Sequence, residues 1–339
     1  MSNFAINLLK SKMNILFVFK EMQDINLGAM YLSSALKRRG HRVEAVPADI
    51  MFLKKRLKGA GPVVLAYSTI AFYADFYLDF NKQIKKEFSV FSIFGGAYPT
   101  AMPDMVQEDG VDAVCLGEGE DAFVELADNL EAGRDYSHIK NLWVKTGDHV
   151  EKNDVRPLVE DLDIIPFPDR ELFWQRSPFY YDRLNMITSR GCAYACPYCF
   201  NNTLSRIYGE RRYRRRSVEN VLQEILSVLS RQEVRFILFH DDIFVLRPTW
   251  LEEFAREYPR RIGIPFSCYV RIDLITNEIA SYLKKAGCHS VCFGIESGDD
   301  KIRNGIFRRN MKREDIVSAS RLLKQYGIRM RTTNILGIP

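Results

Sequence analysis

Three cysteines carry the densest chemistry in the sequence. Cys192, Cys196 and Cys199 lie in the segment Thr188-Ser-Arg-Gly-Cys-Ala-Tyr-Ala-Cys-Pro-Tyr-Cys-Phe-Asn201. Thiolates are the usual ligands of iron–sulfur clusters, and three of them can hold three irons of a 4Fe–4S cubane, leaving the fourth iron open. Gly191 and the small Ala193 and Ala195 let the chain wrap closely round such a group, and Tyr198 would set an aromatic ring beside it. A structural zinc site wants four tetrahedral Cys or His ligands. The next candidates, His240, Cys288 and His289, lie far downstream. Cys115, Cys268, Cys288 and Cys292 fall in apolar or strand-like stretches, where a buried free thiol is the expectation. Seven cysteines with no secretion signal make a poor disulfide framework.

Other polar residues and glycines cluster where strands should end. Asp241 and Asp242 follow the run Phe236-Ile-Leu-Phe, Arg271 and Asp273 follow Cys268-Tyr-Val, and Gly294-Ile-Glu296-Ser297-Gly298 follows Val291-Cys-Phe. Each also has a plain structural reading: loop capping for the aspartates, a surface ion pair for Arg271, a helix N-cap for Ser297. Earlier in the chain the corresponding stretches are Gly28, Ser68-Thr69, Gly95-Gly96 through Thr100, and Gly117-Glu118-Gly119. Arg211, Arg212, Arg214, Arg215 and Arg216 crowd together, which reads as a solvated loop or as a patch for phosphate or another anion.

The elements that must position these residues form two α/β series. In the first, strands are expected at Asn14–Phe19, His41–Val46, Val63–Tyr67, Val90–Phe94 and Ala113–Leu116, with helices at Gly28–Arg39, Ala71–Lys86 and Asp121–Leu130. A hairpin is expected over Trp143–Asn153. This rhythm implies a parallel sheet covered on both faces. Residues 154–182, rich in Pro, Asp and aromatics, read as a linker between domains 1–153 and 183–339. The second series has strands at Met186–Ser189, Arg235–Phe239, Pro265–Val270, Ser290–Gly294 and Arg329–Leu336. Its helices are Val218–Ser230, Thr249–Tyr258, Asn277–Ala286 and Glu314–Tyr326. Such a series suggests a barrel or partial barrel with chemistry at the C-terminal strand ends. Asn334–Pro339 reads as a strand running into a Gly-Pro turn, so the sequence is expected to be a fragment with an incomplete barrel.

The C-x3-C-x2-C loop with an aromatic before its third cysteine resembles the radical S-adenosylmethionine (SAM) superfamily. The resemblance covers most of Asn185–Pro339. It implies that the open iron binds the amino and carboxylate groups of SAM, and that the reduced cluster cleaves SAM to methionine and a 5′-deoxyadenosyl radical. Asp241 and Asp242 stand where the family carries a Gly-Gly-Glu-type segment for the methionine amino group. By the same resemblance Arg271 would meet the SAM carboxylate. Gly294, Glu296 and Ser297 would contact ribose, and Gly337 would open the segment near adenine, with Tyr198 beside the site.

The first domain resembles the cobalamin-binding domains fused in front of radical SAM barrels. This implies a cobalamin site at Gly28, Ser68, Thr69, Gly95, Gly96, Thr100, Gly117, Glu118 and Gly119. The Asp-x-His-x-x-Gly segment that supplies a histidine to cobalt is missing, and His41 is a poor substitute. A Rossmann-like domain serving only as a scaffold is the alternative. No G-x-G-x-x-G follows the first strand, which weakens a dinucleotide site. The fold expected is therefore a Rossmann-like cobalamin-binding domain followed by a partial (β/α)6 radical SAM barrel.

Together the resemblances point to the subgroup containing the anaerobic magnesium-protoporphyrin IX monomethyl ester cyclase and related methylases. The expected cofactors are a 4Fe–4S cluster, SAM and cobalamin. The expected reaction is methylation, or cyclisation or oxidation, of a small organic substrate, with flavodoxin or ferredoxin as electron donor. A methylthiotransferase would carry further clustered cysteines in the first domain, where only Cys115 lies. A non-enzymatic metal- or nucleic-acid-binding scaffold would rest on the arginine run and a zinc loop. The net charge of +5 does not itself imply nucleic acid. No apolar run is long enough to cross a bilayer and no signal peptide is evident, which predicts a cytoplasmic protein.

Overall fold

The computed structural model describes residues 12–22, 25–174, 182–209 and 213–337. Arg211, Arg212, Ile338, Pro339 and residues 175–181 of the expected linker lie outside the described residues. The chain forms two compact units, Met1–Leu158 with Pro166–Ser177, and Val159–Ile165 with Pro178–Pro339.

The first unit is built on a seven-stranded sheet. Its strands are β1 (Asn14–Phe19), β2 (Arg42–Pro47), β3 (Val63–Ser68), β4 (Phe91–Gly95), β5 (Ala113–Cys115), β6 (Leu142–Thr146) and β7 (His149–Lys152), in the order β2-β1-β3-β4-β5-β6-β7. The first five are parallel, while β6 and β7 are the expected hairpin, added antiparallel so that the sheet is mixed. Alternation along β1 sends Ile15, Phe17 and Phe19 to one face and Leu16 and Val18 to the other. The first face packs on α1 (Leu27–Arg38) and α5 (Glu120–Ala132), the second on α2 (Ile50–Leu57) and α3 (Ala74–Lys85). The 2-1-3-4-5 order reverses direction between β1 and β3, the switch point where such sheets open a crevice for ligands.

The sequence reading missed α2 and a short helix, α4 (Ala97–Ala101). In α2 the apolar residues run contiguously, so only Leu53 and Leu57 are buried and no helical stripe shows. Asp49 caps it by accepting from the Phe52 N–H at 2.7 Å. The segment expected as an ordered linker is held by side-chain and backbone hydrogen bonds. The Arg214 guanidinium donates to the Val159 carbonyl and the Ser217 N–H to Asp163. Asp169 accepts from Ser33 and pairs with Lys37 before α6 (Glu171–Trp174).

The second unit carries β8 (Arg183–Met186), a short ladder of β9 (Ser189–Arg190) with β10 (Arg214–Arg215), then β11 (Phe236–Phe239), β12 (Phe266–Tyr269), β13 (Cys288–Glu296) and β14 (Arg329–Asn334). Five of these strands lie side by side in chain order, β8-β11-β12-β13-β14, and every pairing is parallel. That is the progression of an opened barrel. Helices α8 (Val218–Leu229), α9 (Pro248–Arg261), α10 (Asn277–Lys285) and α11 (Arg313–Gln325) are the crossovers, and their apolar stripes bury against the sheet. Helix α7 (Phe200–Ile207) directly follows the cysteine loop and was not expected. The first strand begins at Arg183 rather than Met186, because Thr188 and Ser189 are drawn away to hydrogen-bond Asp241.

Candidate functional site

The cysteine loop starts where β8 ends, and Asp241 fixes that start. Its carboxylate is buried and accepts from the Thr188 N–H at 3.2 Å, the Thr188 hydroxyl at 2.7 Å and the Ser189 hydroxyl. With three donors on it, Asp241 joins the ends of β8 and β11. Asp242 points to the accessible side beside Cys192, and the surrounding protein pushes its carboxyl upward while Asn201 opposes the shift.

Cys196 is buried, and Cys192 and Cys199 are half-buried. The Cys199 N–H donates to the Cys196 carbonyl at 3.0 Å, and Cys199 is the N-cap residue of α7. The loop thus places Cys199 at the start of a helix, while burial pushes the Cys192 thiol up, opposed by a backbone hydrogen bond from Tyr194. A zinc ion with thiolates at about 2.3 Å would draw its sulfurs to about 3.8 Å apart. Among the described residues, no trio containing these cysteines brings its ligand atoms within 4.8 Å.

The arginine run lies beside the start of this loop, and neither a solvated stretch nor an anion patch describes its members among the described residues. β10 pairs antiparallel with β9, so Arg214 stands opposite Arg190 and Arg215 opposite Ser189. Arg215 donates to the Thr188 hydroxyl at 2.9 Å and the Phe244 carbonyl at 2.6 Å, with its guanidinium 3.5 Å over the Trp250 ring. Arg216 meets Glu224 at 2.5 Å, both side chains almost fully buried. Burial without solvent leaves these cations internal partners only.

Across the loop stands the end of β13. Glu296 adopts a left-handed φ of 65°. This folds its carboxylate back over Gly294, where a Cβ would lie 1.9 Å from Oε1. Tyr198 donates to Glu296 at 3.3 Å, and Arg309 donates to the Tyr198 oxygen at 2.6 Å and the Gly294 carbonyl at 2.8 Å. Burial pushes the Tyr198 hydroxyl up, with Arg309 opposing, so it stays protonated. The buried Nε of Arg309 has no protein partner. Arg271 does not face outward as a surface pair. It is buried, donates to Asp273 and to the Arg309 carbonyl, and stacks 3.8 Å from the Tyr194 ring of the cysteine loop. The Ser297 hydroxyl accepts from the Asp299 N–H, and Gly337 has φ 73° just past β14. Sequence reasoning gave no site role to Arg309 or Arg303, and read Arg215 only as part of the arginine run. Arg303, 1% exposed, donates to the Ser297 and Met311 carbonyls. Their charge hides such roles, since arginine in a sequence reads as surface.

In the first unit the expected residues gather past the ends of β1, β3, β4 and β5. Asn26 caps α1 and donates to Ser68 at 3.1 Å across the switch point. The Thr69 N–H donates to the Gly95 carbonyl, and the Thr100 hydroxyl accepts from the Gly117 N–H. Two of the expected glycines, Gly96 and Gly119, also stand in close internal contacts. A Cβ at Gly96, φ 98°, would come 2.9 Å from the Thr69 carbonyl oxygen, and one at Gly119 would come 3.0 Å from the Cys115 sulfur. Gly28 lies in the first turn of α1, and Glu118 is half-buried beside Gly117. Hydroxyls and backbone groups predominate here, a donor set suited to a neutral, amide-bearing ligand. Ile70, Phe72 and Met102 expose apolar side chains from the adjoining loops. His41 stands just before β2 at the far end of the strands, side chain fully enclosed against Asp128, so it is not available here.

Residues 186–339 match the radical SAM superfamily and residues 22–127 match the B12 binding domain. An uncharacterized methyltransferase of Pyrococcus horikoshii is 29% identical over 327 residues, spanning 92% of this chain and 69% of its own length. The anaerobic magnesium-protoporphyrin IX monomethyl ester cyclase of Rubrivivax gelatinosus is 24% identical, over 91% of this chain and 58% of its own. The cyclase is thus one of several kinds of relative. Among solved structures, the radical SAM methyltransferase TsrM of Kitasatospora setae, with cobalamin and a [4Fe-4S] cluster bound, superposes with a TM-score of 0.78 at 19% identity. That match covers 97% of this chain and 67% of that one, and is a likeness of fold. Among the described residues, no helix is long and apolar enough to cross a membrane.

Proposed function

We infer, for a chain whose residues 186–339 match the radical SAM superfamily and whose residues 22–127 match the B12 binding domain, that it is a cobalamin-dependent radical SAM enzyme of the methyltransferase type acting on a small molecule. The observation that carries this reading is the triple-cysteine loop seated on the first strand end of an opened parallel barrel, facing Glu296 and Arg309. When bound, the cluster and SAM would supply radical chemistry and cobalamin a transferable methyl group.

Cys192, Cys196 and Cys199 would hold the cluster. Asp242 and Glu296 offer carboxylates for the SAM ammonium, and the Arg309 Nε offers a donor for its carboxylate. Tyr198, Gly294, Ser297 and Gly337 would shape the nucleoside side. Arg271 and Asp241 act one step back, holding the walls in place. In the first unit, Ser68, Thr69, Thr100 and the backbone at Gly28, Gly95, Gly117 and Glu118 would receive the amide edges of cobalamin, while Ile70, Phe72 and Met102 offer it apolar surface. A low-potential donor such as flavodoxin or ferredoxin would supply electrons. A reducing compartment such as the cytoplasm suits seven free cysteines.

The test is anaerobic reconstitution of the full chain, followed by iron and sulfide analysis, electron paramagnetic resonance of the reduced protein with and without SAM, and corrinoid retention. Wild type should hold iron and acid-labile sulfide and change its signal with SAM. Cys196→Ser should lose both while keeping the corrinoid. Zinc without sulfide would refute the cluster, and unchanged corrinoid spectra would refute the cobalamin half.

A further inference from the structure

A second group of ligating side chains lies at the opposite end of the first unit's sheet. His41 immediately precedes β2, and Asp128 and Glu131 sit near the C-terminal end of α5. One ligand atom from each lies within 4.8 Å of the others. The His41 side chain is fully enclosed and that of Glu131 is 7% exposed. His41 Nδ1 and Glu131 Oε1 are both buried and have no hydrogen-bond partner. Buried polar atoms are rarely left so, and each such atom calls for a ligand.

The helix sharpens the point. Carboxylates are stabilised at a helix N-terminus and opposed by the dipole at its C-terminus. Glu120 and Asp121 obey that rule, but Asp128 and Glu131 stand at the wrong end. Part of their charge is met already. Arg39 donates to Asp128 Oδ2 at 2.8 and 3.1 Å, and His41 Nε2 lies 3.1 Å from Asp128 Oδ1. Lys12 stands 3.5 Å from the other Glu131 oxygen on a side chain 41% exposed, a loose contact that can withdraw. None of these reaches the two orphaned atoms.

We propose that His41, Asp128 and Glu131 form a site for one divalent first-row cation of the zinc class, bound through one imidazole nitrogen and two carboxylate oxygens with water completing the shell. One nitrogen and two oxygens form a donor set suited to such an ion. Bound there, the ion would tie the start of β2 to the end of α5, away from the strand ends read as the cobalamin site. The proposal does not depend on that reading.

The experiment uses the full chain with its cysteine loop filled by the reconstituted cluster, so that thiols do not compete. Zinc is added and measured by equilibrium dialysis with metal analysis. Wild type should hold about one zinc per chain, and His41→Gln and Glu131→Gln should weaken it at least tenfold. X-ray absorption at the zinc edge of the wild type should show nitrogen and oxygen scatterers alone, one imidazole among them. That measurement decides the matter by itself if either variant fails to fold. No zinc in the wild type (an ion-pair network only), equal zinc in all three proteins, or sulfur in the zinc shell would overturn the proposal.

Discussion

The sharpest consequence of the structure concerns Arg216, which belongs to a run that looks like surface. Arg216→Met removes a guanidinium that donates to Glu224 at 2.5 Å, to the Asn220 side chain at 2.6 Å and to the Ile187 carbonyl at 3.0 Å. The two charged side chains are 6% and 2% exposed, so solvent cannot take over when one partner goes. Breaking a buried pair from one side costs about 3–5 kcal/mol, because Glu224 loses the guanidinium that it meets inside the protein. At a urea slope of about 3 kcal/mol per molar, the midpoint should fall by about 1–1.7 M. Hydrogen-exchange mass spectrometry of peptides from Val218–Leu229 across a urea series reads this unit separately from the other. Arg216→Met/Glu224→Leu should recover most of the loss, since removing both charges also removes their desolvation cost. A loss below about 1 kcal/mol for Arg216→Met alone, the worth of an exposed pair, would refute the buried arrangement.

Three further outcomes follow from close contacts and burial. Gly294→Ala puts a Cβ 1.9 Å from Glu296 Oε1, so the carboxylate must retreat by about 1.5 Å to reach ordinary contact. Calorimetric titration should then show SAM binding about tenfold weaker, the worth of one charge-assisted hydrogen bond, with thermal unfolding little changed; unaltered affinity would remove Glu296 from the site. Gly96→Ala should lower the melting temperature more than Gly59→Ala does. Both glycines have positive φ, but only at Gly96 does the new methyl meet backbone, at Thr69, whereas Gly59 has open space around it; equal losses would dismiss the Thr69 contact. In cluster-free protein at pH 8, iodoacetamide should modify Cys199 well before Cys115. Burial pushes the Cys115 thiol up to about 12, leaving about one thiolate in ten thousand; comparable rates by peptide mapping would count against that burial.

Much of the architecture was legible in the sequence because it is local. Short apolar runs such as Asn14–Phe19 and Val63–Ser68 fit strands buried on both faces, and Gly40 and Gly327 mark helix ends through positive φ. The cysteine loop was legible for a related reason, since three ligands within one turn of chain define a donor set with no long-range information. Helices α2, α4 and α7 were not. α2 buries only Leu53 and Leu57, α4 is five residues long, and α7 buries none of its residues fully, so none shows an extended buried stripe in the sequence.

Only the tertiary structure decided what the charged residues do. Asp241 and Asp242 are adjacent and chemically identical, yet one holds Thr188 and Ser189 in the interior while the other stands beside Cys192 at the open side. Arg309, distant in sequence from both Tyr198 and Gly294, holds them together. Arg214, Arg215 and Arg216 are internal ties rather than a basic surface. The sequence by itself determined which segments form strands and which loop can hold a cluster, because backbone preference and ligand spacing act over a few residues. It could not determine which polar groups are buried, because the energy of a charge is set by the dielectric and the partners around it, and these come from residues tens to a hundred positions away.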